Sequence, residues 1–211
     1  MDRTRPIAKL LQSGDLRPIN PTDVLKQFGP LPVGADPETE GLRARKHEHL
    51  REIIDGCIFC YGWSCRMGRP VWVLDHRDVD YDVIALCENN NGGYDFAPIQ
   101  LKEVVPGCLN PRASLQSEID KLATKYSGDD LTVAIRVNRT NTVDLDDIII
   151  PPSLRIAALW IYGAVSGDGS RWFLDGNRLK PQPYLSSFDV SFAGWGSAPS
   201  VAAVLRNGGA K

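Results

Sequence analysis

The chain has 211 residues, of which 43% are hydrophobic and 24% are charged. This length allows one sizeable hydrophobic core, and the composition is that of an ordinary soluble globular protein. The formal net charge is only −2, so the charge of the whole chain does not by itself indicate a nucleic-acid partner.

The five cysteines are an odd number, which argues against a disulfide framework. The first residues, MDRTRPIAKLLQSG, contain no apolar stretch ahead of a small-residue cleavage site. No segment approaches the roughly 18 consecutive apolar residues that a membrane span requires. We therefore expect a cytoplasmic, reduced protein without a membrane partner.

Residues 1–35 are rich in proline and predict an arm with one short helix at 22–28, which ends at Gly29-Pro30. A longer helix is expected to begin at Asp36, which is suited to the N-cap and is followed by Pro37. This helix would extend to about Cys57, with Gly56 near its end.

Residues 70–74, 79–88 and 94–105 predict strands because they are rich in β-branched and aromatic side chains. The stretch from Asn89 to Gly93 separates the last two, and it is the strongest turn signal in the chain. The last two strands are therefore expected to form a hairpin.

Residues 112–126 carry apolar side chains at helical spacing, and 131–137 predict a fourth strand. The order is thus helix, three strands, helix, strand, over residues 36–137. The segments 143–150, 156–165 and 171–174 add a β-rich extension over 138–211. We find no linker and no repeat, and we predict one α/β domain spanning residues 1–211.

The third strand carries Gln100 and Lys102 on one face. Both faces of this strand include apolar residues, which indicates a central strand, and a buried lysine needs a partner. If the hairpin loop is residues 90–92, Asp82 lies opposite Gln100 and Asp80 lies opposite Lys102 on that face.

A two-residue loop at Asn91-Gly92 would instead turn Tyr81 and Val83 towards Gln100 and Lys102. We adopt the three-residue loop because it pairs the lysine with carboxylates. A shift of two residues would make Asp80 rather than Asp82 the acid of the site.

This arrangement has a chemical use. The Asp82 carboxylate and the Gln100 amide oxygen are hard ligands that suit Mg²⁺, which keeps several waters and bridges to phosphate. The Lys102 ammonium is placed to orient or deprotonate the attacking water and to offset developing charge.

The acid on the second strand and Gln100-Leu101-Lys102 on the third resemble the signature of the PD-(D/E)XK, or restriction-endonuclease-like, nuclease superfamily. The resemblance covers residues 36–137 and implies an αβββαβ core with a mixed central sheet. It also implies a divalent-metal-dependent endonuclease that uses Mg²⁺ or Mn²⁺ and cleaves DNA in preference to RNA. Such folds often form homodimers.

Members of the superfamily often place a further acid on the first helix, and Glu40 is the candidate here. Glu40 lies at the edge of a helical stripe that includes Arg43 and His47. The resemblance thus implies four catalytic residues, Asp82, Gln100, Lys102 and Glu40, with Asp82 and Gln100 as metal ligands.

Three alternatives stay open. Gln100 replaces the commoner acid, which is compatible with a non-catalytic nucleic-acid-binding or protein-interaction module on the same fold. The Asp82/Gln100/Lys102 group is also compatible with a structural ion pair within the hairpin. Cys57, Cys60 and Cys65 have a spacing compatible with zinc or an iron–sulfur cluster, or with simple core packing.

Overall fold

The computed structural model describes residues 17–29, 47–76, 81–139 and 143–190. The helices of these ranges are α1 (Pro21–Phe28), α2 (Glu48–Met67) and α3 (Leu115–Lys125). The strands are β1 (Pro18–Ile19), β2 (Val71–Leu74), β3 (Val83–Glu88), β4 (Tyr94–Val104), β5 (Ser127–Val137), β6 (Arg155–Ala164), β7 (Arg171–Asp175) and β8 (Leu185–Asp189).

The eight strands form one mixed sheet in which their spatial order is their order along the chain. β1 to β4 pair antiparallel, β4–β5 and β5–β6 pair parallel, and β6 to β8 pair antiparallel. The prediction of an α/β chain with a mixed central sheet is confirmed. From α2 to β5, the observed order is also the predicted helix, three strands, helix, strand.

Helices cover both faces of this sheet. α2 packs on one face against a cluster that includes Val83, Ile99 and Leu101. α3 packs on the other face with a second cluster that includes Ile84 and Val133. Because neighbouring side chains on a strand point to opposite faces, central strands buried in this way are apolar on both sides.

The predicted end of the long helix near Cys57 was wrong, because α2 continues to Met67 and ends at Gly68, whose φ is 65°. Its internal glycines do not end the helix. They allow side chains of the sheet to approach the helix backbone closely. A Cβ on Gly56 would lie 3.1 Å from a Val83 methyl group, and one on Gly62 would lie 2.5 Å from the Phe188 ring. Packing against the sheet thus outweighs the roughly 1 kcal/mol by which a helical glycine is disfavoured. The predicted start at Asp36 lies outside the described residues.

The C-terminal part is β-rich, as expected, but it differs from the prediction in two places. Residues 143–150 contain no strand and run irregularly along the face that carries α3. β8 follows β6 and β7, which correspond to the predicted segments 156–165 and 171–174, and it pairs with β7 as the edge of the sheet. The extension therefore completes the same sheet as residues 71–137.

The β3–β4 hairpin has the predicted three-residue loop, residues 90–92. The Asn89 N–H donates to the carbonyl of Gly93 at 2.8 Å, and the register pairs Val83 with Ile99. The Asn89 side-chain oxygen also accepts from the backbone N–H groups of Asn91 and Gly93. This register places Asp82 and Gln100 opposite each other, so the loop fixes the geometry of the candidate site.

Gly92 has a φ of 74°, a left-handed conformation that strains any residue with a Cβ. We expect Gly92→Ala to lower the free energy of unfolding by about 1–2 kcal/mol in urea denaturation. Gly167→Ala is the control, because a Cβ there meets nothing within 4 Å and the φ of Gly167 is not positive. An equal loss in both variants would show that the left-handed residue is not what the hairpin requires.

Candidate active site on the β3–β4 hairpin

Asp82 lies one residue before β3, and its carboxylate faces β4. Asp82 Oδ2 accepts a hydrogen bond from the backbone N–H of Leu101 at 2.7 Å and a second one from Gln100 Nε2. The Asp82 N–H donates to the carbonyl of Ile99 at 2.8 Å, which continues the ladder to the end of the strand. The acid and the amide are therefore in direct contact, at a position set by the hairpin register.

The sequence-based interpretation did not identify Tyr126 as part of this site. Tyr126 follows α3 directly and is buried, and its hydroxyl donates to Gln100 Oε1 at 2.8 Å. The Gln100 side chain is itself only 6% exposed. Both ends of its amide therefore have partners, with the nitrogen on Asp82 and the oxygen on Tyr126.

Lys102 lies on the same face of β4, two residues beyond Gln100, and it is partly buried. Its Nζ is 5.7 Å from the centroid of the Tyr126 ring, a distance at which an ammonium is attracted by an aromatic face. The structure thus brings together Asp82, Gln100 and Lys102, with Tyr126 between the amide and the ammonium.

The other acids proposed for the site, Glu40 and Asp80, lie outside the described residues. The described part of α2 packs on the face of the sheet opposite to Gln100, together with Ile99 and Leu101. Among the described residues, no group of three or more His, Cys, Asp or Glu side chains could hold a metal ion. Asp82 supplies the carboxylate of this site, and Gln100 supplies an amide.

The opposite face of β4 carries a buried ionic cluster that the sequence analysis did not predict. Arg136 of β5 lies between Asp55 of α2, at 3.1 Å from its Oδ1, and Glu103 of β4, at 2.7 Å from its Oε1. Asn138 also donates to Glu103 Oε1 at 2.7 Å. Arg136 is 3% exposed, so these contacts take the place of water around its guanidinium.

Burial and neighbouring charges change the pKa values of Arg136 and Tyr162. Burial alone lowers the pKa of Arg136, but Asp55 and Glu103 together outweigh it and raise that pKa above its ordinary value. Burial, with the nearby Asp55 carboxylate, raises the pKa of Tyr162 well above its usual range, so its hydroxyl stays neutral. The cluster joins α2 to β4 and β5, and its residues face away from Gln100.

The cysteines of α2 lie in the hydrophobic core. Burial raises the pKa of Cys57 and Cys60, and neighbouring Cys57 and Cys87 raise that of Cys60 further. The side chains of Cys57 and Cys60 are fully buried and belong to the core cluster that α2 forms with the sheet. Cys65 is half-buried and packs against the same core. The described geometry therefore favours core packing over a metal cluster for Cys57, Cys60 and Cys65.

A groove of about 320 Å³ lies beyond Val104, at the N-terminus of α3. Gln116 lines this groove and holds the backbone of the segment at Ile149. Its side-chain amide donates to the carbonyl of Ile149 and accepts from the Ile149 N–H. Arg139 is held by the carbonyls of Val105 and Asn110. The side chains of Gln116 and Arg139 are therefore engaged in hydrogen bonds to the backbone of the loops around the groove.

Of the two residues that were missed, Arg136 and Tyr126, only the first had a signal in the sequence. Arg136 is a charged residue inside the strand LTVAIRV, whose other side chains are apolar except Thr132, and a buried charge of this kind requires an acid partner. Tyr126 was assigned to the apolar stripe of its helix, and nothing in that spacing showed that its hydroxyl would reach β4.

In the described part of the chain, no helix is both long and apolar enough to cross a membrane.

Comparisons with family models, with curated proteins and with solved structures found no match to this chain.

Proposed function

We propose that this chain is a divalent-metal-dependent phosphodiesterase that acts on nucleic acid, as an endonuclease on DNA in preference to RNA. The observation that carries the proposal is the contact between Asp82 and Gln100 on adjacent strands, with Lys102 on the same face. A carboxylate, an amide and an ammonium at these positions match the chemistry that phosphodiester hydrolysis requires.

The element order supports the proposal. α2, three antiparallel strands, α3 and a parallel fourth strand follow one another as in the restriction-endonuclease-like core. The acid precedes the second of these strands, and the Gln-x-Lys segment lies on the third. We propose that residues 36–137 form such a core, to which β6–β8 add further strands.

Mg²⁺ or Mn²⁺ fits the chemistry of the two donors, because carboxylate and amide oxygens are hard ligands. The metal would polarise the scissile phosphate and supply a nucleophilic water near neutral pH. Asp82 would hold it directly, Gln100 would contribute its amide oxygen, and we propose Glu40 as a further ligand. The amide oxygen now accepts from Tyr126, so Gln100 must reorient to take this role.

Lys102 offers a charge at the position where negative charge would develop. The ammonium would lie beside the phosphate, orient the attacking water and offset the charge of the transition state. The Tyr126 ring restricts where this long side chain can go. This placement distinguishes Lys102 from the lysines of the exposed face of α3, such as Lys121, which pairs with Glu118 at 2.6 Å.

Cleavage of plasmid DNA in the presence of Mn²⁺ tests the proposal. We expect Asp82→Asn and Lys102→Met to reduce cleavage by about 100-fold or more, within the range typical of lost acid–base or charge stabilisation. Lys121→Met is the matched control and should cleave at the wild-type rate. Circular dichroism of each variant establishes that it is folded.

Equal cleavage by all four proteins would trace the activity to a contaminating nuclease and would remove the support for the proposal. The absence of cleavage by the wild type with either Mg²⁺ or Mn²⁺ would contradict it directly.

The second candidate is a non-catalytic nucleic-acid-binding or protein-interaction module on the same fold. It is favoured by one observation, namely that position 100 carries an amide whose oxygen is already bonded to Tyr126. Fluorescence anisotropy with a labelled DNA duplex separates the two functions. Binding that needs no divalent cation and is unchanged in Asp82→Asn, without cleavage, would support the module.

A further inference from the structure

Two buried polar groups lie on neighbouring strands beneath α2. Tyr162 of β6 is fully buried, and Arg136 of β5 is 3% exposed. Within the described residues, neither the Tyr162 hydroxyl nor the Arg136 Nε–H has a hydrogen-bond partner. The other two guanidinium nitrogens form ion pairs with Asp55 and Glu103. Because buried polar groups in proteins almost always have a partner, the hydroxyl and the Nε–H each require one.

The sheet register brings these two groups together. Tyr162 is the direct neighbour of Arg136 in the parallel pairing of β5 and β6, so both side chains point to the face that α2 covers. Paired positions on neighbouring strands are about 5 Å apart. The hydroxyl and the guanidinium are also within electrostatic range of each other. One small molecule at this place would therefore contact both groups.

The surrounding charges favour a neutral ligand over an ion. The carboxylates of Asp55 and Glu103 would repel an anion. The guanidinium would repel a cation, and its Nε–H, which can only donate, would gain no partner from one. The ligand must therefore be neutral, small and able to accept hydrogen bonds. Water meets these requirements, and a buried water molecule typically bonds to about three groups.

We propose that one internal water molecule binds between Tyr162 and Arg136. It accepts hydrogen bonds from the Arg136 Nε–H and from the Tyr162 hydroxyl, and it donates to the neighbouring Asp55 carboxylate. The ion pairs join α2, β4 and β5, and this water extends the polar network to β6. The water site lies on the face of the sheet opposite to Gln100 and does not depend on the proposed function.

A crystal structure of the wild type, at a resolution that shows ordered water, tests the proposal directly. We expect an electron-density peak within about 2.7–3.2 Å of both Tyr162 Oη and Arg136 Nε. Direct bonds from both groups to protein atoms, with no peak between them, would overturn the proposal. A peak that contacts only oxygen atoms, at about 2.3–2.6 Å, would identify a cation and would overturn it too.

Tyr162→Phe tests in solution whether the hydroxyl has a partner. If the hydroxyl bonds to water, its removal should raise the equilibrium constant of unfolding about 5-fold, as expected for one lost hydrogen bond. Tyr184→Phe is the matched control, because Tyr184 is 63% exposed and its variant should unfold like the wild type. A Tyr162→Phe variant more stable than the wild type would contradict the proposal, because losing a buried hydroxyl without a partner is favourable.

A loss of stability in Tyr162→Phe would also follow if the hydroxyl bonded directly to a protein group. Relaxation dispersion of water ¹⁷O separates the two cases, because it detects long-lived internal water and is insensitive to proton exchange. The wild type and Tyr184→Phe should each show one more long-lived water molecule than Tyr162→Phe. Equal dispersion in all three proteins would assign the hydroxyl to a direct bond and overturn the proposal.

Discussion

Replacing Arg136 by methionine is expected to lower the free energy of unfolding by about 3–5 kcal/mol, as for other buried ion pairs that lose one partner. The guanidinium forms ion pairs with Asp55 and Glu103, and Arg136 is 3% exposed. Methionine fills similar space but leaves two acids without their cation. Urea denaturation of the wild type and the variant measures the difference.

Arg171→Met is the matched control for this substitution. Arg171 lies 3.7 Å from Asp189, and both side chains are more than 60% exposed. Exposed pairs contribute about 0–1 kcal/mol because water screens them, so this variant should remain close to the wild type.

The combined variant Asp55→Asn/Glu103→Gln/Arg136→Met identifies the cause of the loss. It leaves no charge unpaired, so we expect it to recover part of the stability that Arg136→Met loses. If it is no more stable than Arg136→Met, unpaired charge is not the reason for the loss.

Phe59→Ala should also lower the free energy of unfolding by about 3–5 kcal/mol, the range for a large aromatic side chain removed from a core. Phe59 is fully buried on α2, and its ring centroid lies within 6 Å of those of Trp63, Trp160 and Tyr162. Alanine would remove these ring contacts and leave a cavity between α2 and β6.

Phe28→Ala provides the comparison on the same denaturation assay. Phe28 is the last residue of α1 and is 50% exposed, so its truncation should change the free energy of unfolding by less than about 1 kcal/mol. Similar losses for Phe28 and Phe59 would show that the aromatic cluster does not carry the contact between helix and sheet.

Among the residues of the candidate site, those whose positions follow from local chain geometry were predictable. The loop at residues 90–92 and the two-residue period of the strands together place Asp82 opposite Gln100 and Lys102 on the same face. The structure confirms the register on which the candidate site depends. The metal and the reaction stay proposals, because they depend on ligands and charges around Asp82 as well as on the register.

The boundaries of α2 were not predictable from local signals. Gly56 is a reasonable helix end by propensity, but the helix continues because Val83 and Phe188 pack against its glycines. Those contacts join residues that are distant in sequence. A single-sequence pattern contains no information on such close approaches.

The sequence by itself determined the α/β class, the order from α2 to β5 and the hairpin that gathers Asp82, Gln100 and Lys102. These features follow from side-chain periodicity and turn chemistry, which act over a few neighbouring residues. Only the tertiary structure decided that Tyr126 holds the Gln100 amide and that Arg136 forms ion pairs with acids of α2 and β4. The two residues of each pair lie at least 26 positions apart along the chain. They meet only when helices pack on both faces of the sheet.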